Sequence, residues 1–291
     1  MSRKRNTIFI LLFAAAAFVV MTVFVAYLGL LFYLDDGIQF GDAVAVVDIS
    51  GEIYYDIAKI QEIEDYRDDG DVKAILVHIN SPGGGVVGSQ ALYRALEKAS
   101  ETKPVVAVMG AVAASGGYYV ACAADTIFAM EGTVTGSIGV IAAYLRTEEL
   151  FRKIGLEVTV IKSGEFKDVG SPHRPMTARE IAYLSDLLDG MYEQFLQAVS
   201  DGRGMDIEEV RVLAEGRLYT GLGAREVGLI DAIGSYEDAL YVAAELGGID
   251  GHPSVIRREK KVSWLERVLG RAAAQIPFPS DDRIALKYII P

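Results

Sequence analysis

The stretch VVAVMGAVAASGGYYVACAAD, Val105 to Asp125, combines patterns that predict a strand, a tight turn and a helix. Val105–Met109 is continuously apolar, as expected of a strand that is buried on both faces of a parallel sheet. The glycines of Gly110–Gly117 permit a sharp turn and a close approach of the backbone to a ligand. Ser115 lies where the next helix, Gly116–Ala124, is predicted to begin, so its hydroxyl is expected at the amino end of that helix.

The alternation of strand and helix patterns continues on both sides of that stretch. Four further strands are predicted at Val44–Ile49, Ala74–Ile79, Thr126–Ala129 and Glu157–Ile161. Three further helices are predicted at Asp56–Arg67, Ser89–Lys98 and Thr177–Ser200. Thr177 and Glu180, three residues apart, form a capping-box pattern at the start of the last helix. Strands that alternate with helices of this length predict an α/β domain.

An uncharged apolar run of 27 residues, Ile8 to Leu34, precedes this domain. As a helix it would be about 40 Å long, more than the roughly 30 Å hydrocarbon core of a bilayer, so it predicts a membrane span. Three basic residues precede the run, and Asp35 and Asp36 follow it. The positive-inside rule then predicts a single-pass protein of the cell membrane with a cytoplasmic N-terminus and an extracytoplasmic body. A cleaved signal peptide is the alternative, but its apolar region has only about 7–15 residues.

The predicted division of the chain is a cytoplasmic N-terminus with a membrane anchor at 1–34, an α/β domain at 42–250, and a basic tail at 251–291. A short amphipathic helix is predicted in the tail from the apolar residues Trp264, Leu265, Val268, Leu269 and Ala272. This helix contacts either anionic lipid, or the body or a neighbouring subunit, and the sequence leaves both open.

The composition excludes several classes of function. The net charge is −12, and the residues after 34 carry 25 basic and 40 acidic side chains, so the body repels phosphate backbones and no nucleic-acid partner is expected. The one cysteine, Cys122, forms no internal disulfide and is expected to be a small core residue. The three histidines are scattered without ligand spacing. We therefore expect neither a metal ion nor a cofactor.

Two glycine-rich turns are candidates for chemistry. Ser115 would lie at the positive end of the helix dipole beside the N–H of Gly116, which suits a nucleophile with an oxyanion hole. The simpler interpretation of Ser115 is an N-cap, the commoner role of serine at this position. The second turn, NSPGGG at Asn80–Gly85, allows its N–H groups to point at a ligand oxygen, but it lacks the pattern of a phosphate loop.

A serine nucleophile requires a base, and three residues are candidates. His78 lies in a predicted strand, where a histidine is usually packed rather than catalytic. Lys162 and Lys167 follow the predicted strand Glu157–Ile161, and a buried lysine with a lowered pKa can deprotonate a serine. Spacing alone does not choose between the two lysines.

Five segments in order resemble the signal peptide peptidase A family in its short membrane-anchored form, serine peptidase family S49 of the Clp-protease/crotonase superfamily. The segments are NSPGGGVVGS (Asn80–Ser89), GAVAASGGYYVACAAD (Gly110–Asp125), GTVTGSIGV (Gly132–Val140), IKSGEFKDVGSPHRPMT (Ile161–Thr177) and YTGLGAREVGLID (Tyr219–Asp231). The resemblance covers roughly residues 43–248. It implies an α/β domain with the Clp-protease/crotonase-like fold, preceded in this chain by the predicted transmembrane helix.

The resemblance also implies a serine endopeptidase with a Ser-Lys dyad. Ser115 corresponds to the family's nucleophile, and Lys167 corresponds to its general base. Ser137 corresponds to the hydroxyl that orients the lysine. The oxyanion-hole donors correspond to Gly116 together with either Gly83 or Gly84. The family further implies a homo-oligomeric ring in which serine and lysine can come from adjacent subunits. Its substrates are peptides, namely remnant signal peptides and other membrane-associated segments.

Two alternatives to a peptidase remain at this stage. A crotonase-type acyl-CoA enzyme would use the oxyanion hole on a thioester enolate, and an inactive ring-forming membrane scaffold would bind peptides without cleaving them. The presence of Ser115, Ser137 and Lys167 favours the peptidase. Asp168 would hold Lys167 protonated if the two were in contact, so we expect its carboxylate to point away.

Overall fold

The computed structural model describes residues 42–258, together with Ala15, residues 17–27 and the backbone of Lys287–Ile289. The chain divides into two units, 1–41 and 42–291, and residues 17–27 of the first form a helix, α1. The predicted membrane span lies mostly outside the described residues, and no helix within them is both long and apolar enough to cross a bilayer. The amphipathic helix predicted around Trp264 lies outside them as well.

The body is built on an eight-stranded sheet whose central strands are parallel. The order across the sheet is β7-β6-β4-β2-β1-β9, with β5 beside β4 and β8 beside β5. The strands are β1 (Ala43–Ser50), β2 (Val72–Ser81), β4 (Val105–Ala114), β5 (Thr126–Ala129), β6 (Val134–Gly136), β7 (Leu218–Thr220), β8 (Ala232–Ile233) and β9 (Ser254–Arg257). A separate two-stranded sheet pairs β3 (Gly83–Gly85) with β10 (Lys287–Ile289).

Helices cover the sheet and connect its parallel strands. They are α2 (Ile57–Asp68), α3 (Val86–Ser100), α4 (Gly116–Ala121), α5 (Glu148–Lys153), a 3-10 helix (Glu165–Asp168), α6 (Ala178–Arg203), α7 (Ile207–Leu213), α8 (Gly221–Glu226) and α9 (Tyr236–Leu246). The capping box predicted at the start of α6 is present, because Thr177 and Glu180 each bond to the other's backbone N–H. The strand β9 shows that residues beyond 250 contribute to the sheet.

The core lies on both faces of the sheet. Along β2, Ile75 and Val77 face one cluster, which also includes Phe195 of α6, whereas Leu76 faces a second cluster against Ala239 and its neighbours on α9. Fully burying each aliphatic side chain of this kind contributes about 1.5–3 kcal/mol. This two-sided burial explains why the strands have near-continuous apolar sequences rather than alternating ones.

Most of the predicted elements are present, but the predicted strand Glu157–Ile161 is wrong. Those residues belong to no strand, and Ile161 is 97% exposed. Their β-branched residues suit a pleated surface, but a strand also needs a partner, and within the described residues this segment has none. The predicted helix Gly116–Ala124 is also shorter than expected, since α4 ends at Ala121.

Candidate functional site

The carboxyl ends of β4 and β6 bring two serines together. Ala114 pairs with Gly136, so Ser115 and Ser137 each follow directly after the paired residues of two adjacent parallel strands. The N–H of Ser115 donates to the carbonyl of Gly136 at 2.7 Å. The N–H of Ser137 donates to the carbonyl of Arg217 at 2.7 Å. The register of the sheet therefore places side by side two serines that are 22 positions apart in the sequence.

The backbone at both serines is strained. Ser115 has φ 52° and Ser137 has φ 53°, and they are the two non-glycine residues with positive φ in the part of the chain that is described. Such a conformation costs on the order of 1–3 kcal/mol and persists only where the surrounding structure imposes it. It turns the chain sharply from β4 into α4, and strain of this kind is concentrated at functional sites.

The hydroxyl of Ser115 does not serve as a helix cap. Ser115 occupies the N-cap position of α4, but its side chain makes no capping hydrogen bond. The residue is 1% exposed, and its carbonyl accepts the N–H of Tyr119 at 2.8 Å. The N-cap interpretation therefore accounts for the position of Ser115 but not for its side chain.

The glycine-rich turn NSPGGG forms β3, and its hydrogen bonds distinguish Gly83 from Gly84. The N–H of Gly83 donates to Ser81 Oγ at 3.1 Å. Ile53 takes one side of β3, because its N–H donates to the carbonyl of Gly83 and its carbonyl accepts the N–H of Gly85, both at 2.8 Å. Backbone groups alternate along a strand, so the N–H of Gly84 points to the opposite side. Of the two candidate donors, Gly84 is therefore the one whose N–H points away from the hydrogen bonds that the turn makes with Ser81 and Ile53.

The turn and the amino end of α4 lie against each other. A Cβ atom at Gly117 would be 2.9 Å from the carbonyl oxygen of Ser81, so glycine is needed there for the helix to approach the turn. As the first residue of α4, Gly116 has no helical partner for its N–H. The structure thus places Gly116 next to Ser115, at the end of the helix that packs on the turn containing Gly84.

The two candidate lysines, Lys162 and Lys167, differ in their contacts. Lys162 Nζ lies 2.6 Å from Asp168 Oδ1 and donates to the carbonyl of Glu165 at 2.8 Å. Arg174 binds the same carboxylate, and hydrogen bonds from Arg174 and then Lys162 hold the pKa of Asp168 well below its ordinary value. Asp168 therefore points away from Lys167, as predicted.

Lys167 lies in the 3-10 helix and is exposed. Among residues 42–258 its Nζ has no hydrogen-bond or ion-pair partner, in contrast to Lys162. Of the two lysines, Lys167 is thus the one that forms no ion pair with a carboxylate of the described residues. Its exposure in the single chain differs from the burial that a neutral lysine base needs.

The other candidate residues lie in the core or away from Ser115. His78 Nδ1 is 3.0 Å from Asp48 Oδ1, and its ring packs edge-on against Tyr236. It pairs with Val108, seven residues before Ser115 on β4, which is roughly 20 Å along the strand. Cys122 is buried, and burial raises the pKa of its thiol to about 12, so it is a core residue as predicted. No three His, Cys, Asp or Glu side chains of the described residues are grouped so as to hold a metal ion.

Comparison with known families agrees with this geometry. The family model described as Peptidase family S49 matches residues 97–250, which include Ser115, Ser137 and Lys167. That segment makes up more than half of the chain. The chain belongs to peptidase family S49. The model described as Clp protease also matches residues 46–135 of this S49 peptidase, consistent with the mostly parallel sheet.

Several curated proteins are similar to this S49 peptidase. A protease candidate of Methanocaldococcus jannaschii is 36% identical over 231 residues, which cover 74% of each chain. The serine protease SPPA of Arabidopsis thaliana chloroplasts is 35% identical over 75% of this chain and 31% of its own length. Protease 4 of Haemophilus influenzae is 35% identical over 62% of this chain and 29% of its own length. These matches confirm the family resemblance and show that the chain is a serine peptidase.

One contributor to the site has no signal in the sequence. Ile53 holds β3 in place through its backbone alone, and any residue type presents the same N–H and carbonyl groups. The run of three glycines is the one indirect signal, because it permits another segment of backbone to approach closely. A Cβ at Gly84 would lie 2.1 Å from the carbonyl oxygen of Ile53.

Proposed function

We propose that this chain is a membrane-anchored serine endopeptidase with a Ser-Lys dyad, in which Ser115 is the nucleophile and Lys167 the general base. The observation that carries the proposal is the geometry of Ser115. Its backbone is strained, its hydroxyl does not cap α4, and it lies beside the N–H of Gly116 and near the turn that presents the N–H of Gly84. These are the parts that acyl transfer requires: a positioned nucleophile and two donors for an oxyanion.

The proposed reaction proceeds in two steps. Neutral Lys167 accepts the proton of Ser115 Oγ as the oxygen attacks a peptide carbonyl carbon, and the N–H groups of Gly84 and Gly116 bind the resulting oxyanion. The C–N bond then breaks, and the lysine ammonium gives its proton to the leaving amine. In the second step the lysine accepts a proton from a water molecule as the water oxygen attacks the acyl ester. The bond to Ser115 Oγ then breaks, the lysine returns the proton to that oxygen, and the carboxylate product is released. Ser137 donates or accepts a hydrogen bond that orients the lysine.

A second copy of the chain would supply the burial that Lys167 lacks. A lysine works as a base near neutral pH only when its pKa is lowered, and desolvation is the main cause of such lowering. The segment 145–181, which contains Lys167, carries apolar side chains that a single chain leaves exposed: Leu145, Ile154, Leu156, Ile161 and Ile181. Exposed apolar patches of this kind are typical of subunit interfaces. We therefore include in the proposal a homo-oligomeric ring in which the dyad is shared between neighbours.

The substrates and location follow from the apolar N-terminal run. Residues 8–34 carry no charge and would anchor the body at the extracytoplasmic face of the cell membrane. A peptidase held there meets membrane-associated peptides, and remnant signal peptides are the substrates that we propose. The acidic body would not bind nucleic acid.

Peptidase activity tests the proposal most simply. The full chain in detergent, with its Ser115→Ala and Lys167→Ala variants, is assayed on casein and on an apolar signal-peptide-like peptide from about pH 6 to pH 10. We expect the parent to cleave both and the variants to lose at least about 10³-fold in kcat, since each removes a member of the catalytic pair. Folded variants that cleave as well as the parent would refute the assignment. A parent that binds these peptides without cleaving them would favour the scaffold.

Mixing the two inactive variants tests the shared site. If serine and lysine come from adjacent subunits, random assembly of equal amounts restores about a quarter of the sites. A mixture that stays inactive after exchange of subunits has been demonstrated would place both residues of a site in one chain. Lys162→Ala is the matched control, because Lys162 is already paired with Asp168. It should leave most of the activity.

A further inference from the structure

A cavity of about 400 Å³, here called the β4–α9 cavity, lies on the side of the sheet opposite α4. Val108 lines this cavity and packs in the cluster against α9, whereas Tyr118 of α4 packs in the cluster on the other side of the sheet. Gly110, also in the wall, precedes Ser115 by five residues, which is roughly 17 Å of extended strand. The cavity is therefore separate from the candidate active site, and its volume is within the roughly 300–1,000 Å³ of small-molecule sites.

Two hydroxyls in the wall of the β4–α9 cavity already donate within the chain. Thr133 Oγ1 donates to a backbone carbonyl at 2.8 Å, and Ser235 Oγ donates to Asp238 Oδ2 at 2.7 Å. The other polar side chains of the wall are His78 and Tyr236, whose rings pack edge-on with centroids 5.8 Å apart. A ligand in the cavity would therefore meet these two polar groups next to each other.

One ring nitrogen of His78 is available to a ligand. Asp48 Oδ1 lies 3.0 Å from Nδ1, and an ionised carboxylate only accepts hydrogen bonds, so Nδ1 carries a proton. Within residues 42–258 the other nitrogen, Nε2, has no hydrogen-bond partner. The side chain of His78 is 30% exposed and lines the cavity, so a bound molecule could supply that partner.

Arg257 connects the two polar groups of the cavity. Its Nε lies 3.1 Å from Asp48 Oδ2, and its guanidinium donates to the hydroxyl oxygen of Tyr236 at 3.2 Å. Because that oxygen accepts this bond, the O–H of Tyr236 is left to donate to a ligand. When Nε2 of His78 is protonated as well, Arg257, Asp48 and His78 together carry one net positive charge. The cavity then offers two donors beside a single positive charge.

We propose that the β4–α9 cavity binds a carboxylate carried on an apolar chain. The carboxylate accepts from His78 Nε2–H and from the O–H of Tyr236, and its single negative charge neutralises the cluster. The apolar chain lies against Val108 and Met130, of which Met130 is 49% exposed in the free chain. Two sources have this chemistry, a free fatty acid and the C-terminus of a peptide that ends in an apolar residue. The proposal does not depend on the role of Ser115.

Histidine NMR signals test the site directly, because the chain contains only three histidines. The full chain in detergent, with ¹³C-labelled histidine, is titrated at constant pH with hexanoate and with N-acetyl-leucine. Hexan-1-ol and N-acetyl-leucine amide are the uncharged controls, and His→Gln variants assign the signals. We expect a carboxylate to shift the His78 signal with a dissociation constant on the order of 1 mM, at least about tenfold tighter than its uncharged control. A response to hexanoate alone would identify a fatty acid, and a response to N-acetyl-leucine alone a peptide C-terminus.

Tyr236→Phe tests the second donor, and Tyr241→Phe is its matched control. Tyr241 lies on the same helix, α9, but its hydroxyl pairs with His252 Nδ1 at 2.6 Å and does not line the cavity. We expect Tyr236→Phe to weaken carboxylate binding about tenfold and Tyr241→Phe to change it less than about twofold. The proposal is overturned if neither carboxylate shifts the His78 signal, if the uncharged controls bind equally well, or if the two variants bind with equal affinity.

Discussion

Replacing Gly84 with alanine should disable the site by moving β3. A Cβ atom at this position would lie 2.1 Å from the carbonyl oxygen of Ile53 and 2.4 Å from its nitrogen, whereas such contacts are essentially never shorter than 3.0 Å. The strand would therefore shift by about 1 Å, and the N–H of Gly84 would shift with it. A displacement of that size costs about 100-fold in rate, or about 2.7 kcal/mol of transition-state stabilisation.

Gly85→Ala is the matched control for this prediction. A Cβ there would be 3.7 Å from the same carbonyl oxygen, an ordinary contact, so its kcat/KM should stay within about threefold of the parent. The measurement is kcat/KM on a fluorogenic peptide, with thermal unfolding to show that both variants are folded. A folded Gly84→Ala variant that is as active as Gly85→Ala would refute the placement of the oxyanion donor.

Three further predictions concern stability and reactivity. Hydrogen bonds from Arg174 lower the pKa of Glu180 to about 2 from its ordinary 4.5. The stability that Glu180 contributes is therefore present above about pH 4.5 and is lost as the pH falls towards 2, and Glu180→Gln should flatten the pH dependence of the urea midpoint in this range. Cys122 should react with a thiol reagent only after unfolding, because it is buried and its pKa is about 12; rapid reaction of the native protein would contradict this. The buried O–H of Tyr118 donates to the carbonyl of Leu229 at 2.8 Å, so Tyr118→Phe should cost about 1–3 kcal/mol in denaturant unfolding, and an unchanged midpoint would refute that contribution.

Local sequence predicted the parts of the fold that depend on continuous apolar runs. β1, β2 and β4 could be located in this way because both faces of their sheet are covered. Glu157–Ile161 is also rich in β-branched residues, but it lies on the surface and belongs to no strand. Composition alone does not show whether such a segment has a neighbouring strand to pair with. β3 could not be predicted, because glycine disfavours strands and the pairing with Ile53 and β10 depends on contacts distant in the sequence.

In the site, too, some features follow from neighbouring residues in the sequence, whereas others depend on contacts between distant segments. The position of Ser115 at a helix start followed from its own surroundings in the sequence, whereas its adjacency to Ser137 depends on the register of β4 and β6. The choice between Lys162 and Lys167 depends on Asp168 and Arg174, whose ion pairs are formed only in the folded chain. Spacing could not supply that information.

Covalent labelling with a fluorophosphonate probe tests the central claim most directly, because it reports an activated serine without any assumption about substrate. The full chain and its Ser115→Ala variant are treated with the probe, and the labelled peptide is identified by mass spectrometry. We predict a single adduct on Ser115 that is absent from the alanine variant and forms much more slowly in Lys167→Ala. An adduct on another residue, or equal labelling of the Ser115→Ala variant, would contradict the assignment of Ser115 as the nucleophile.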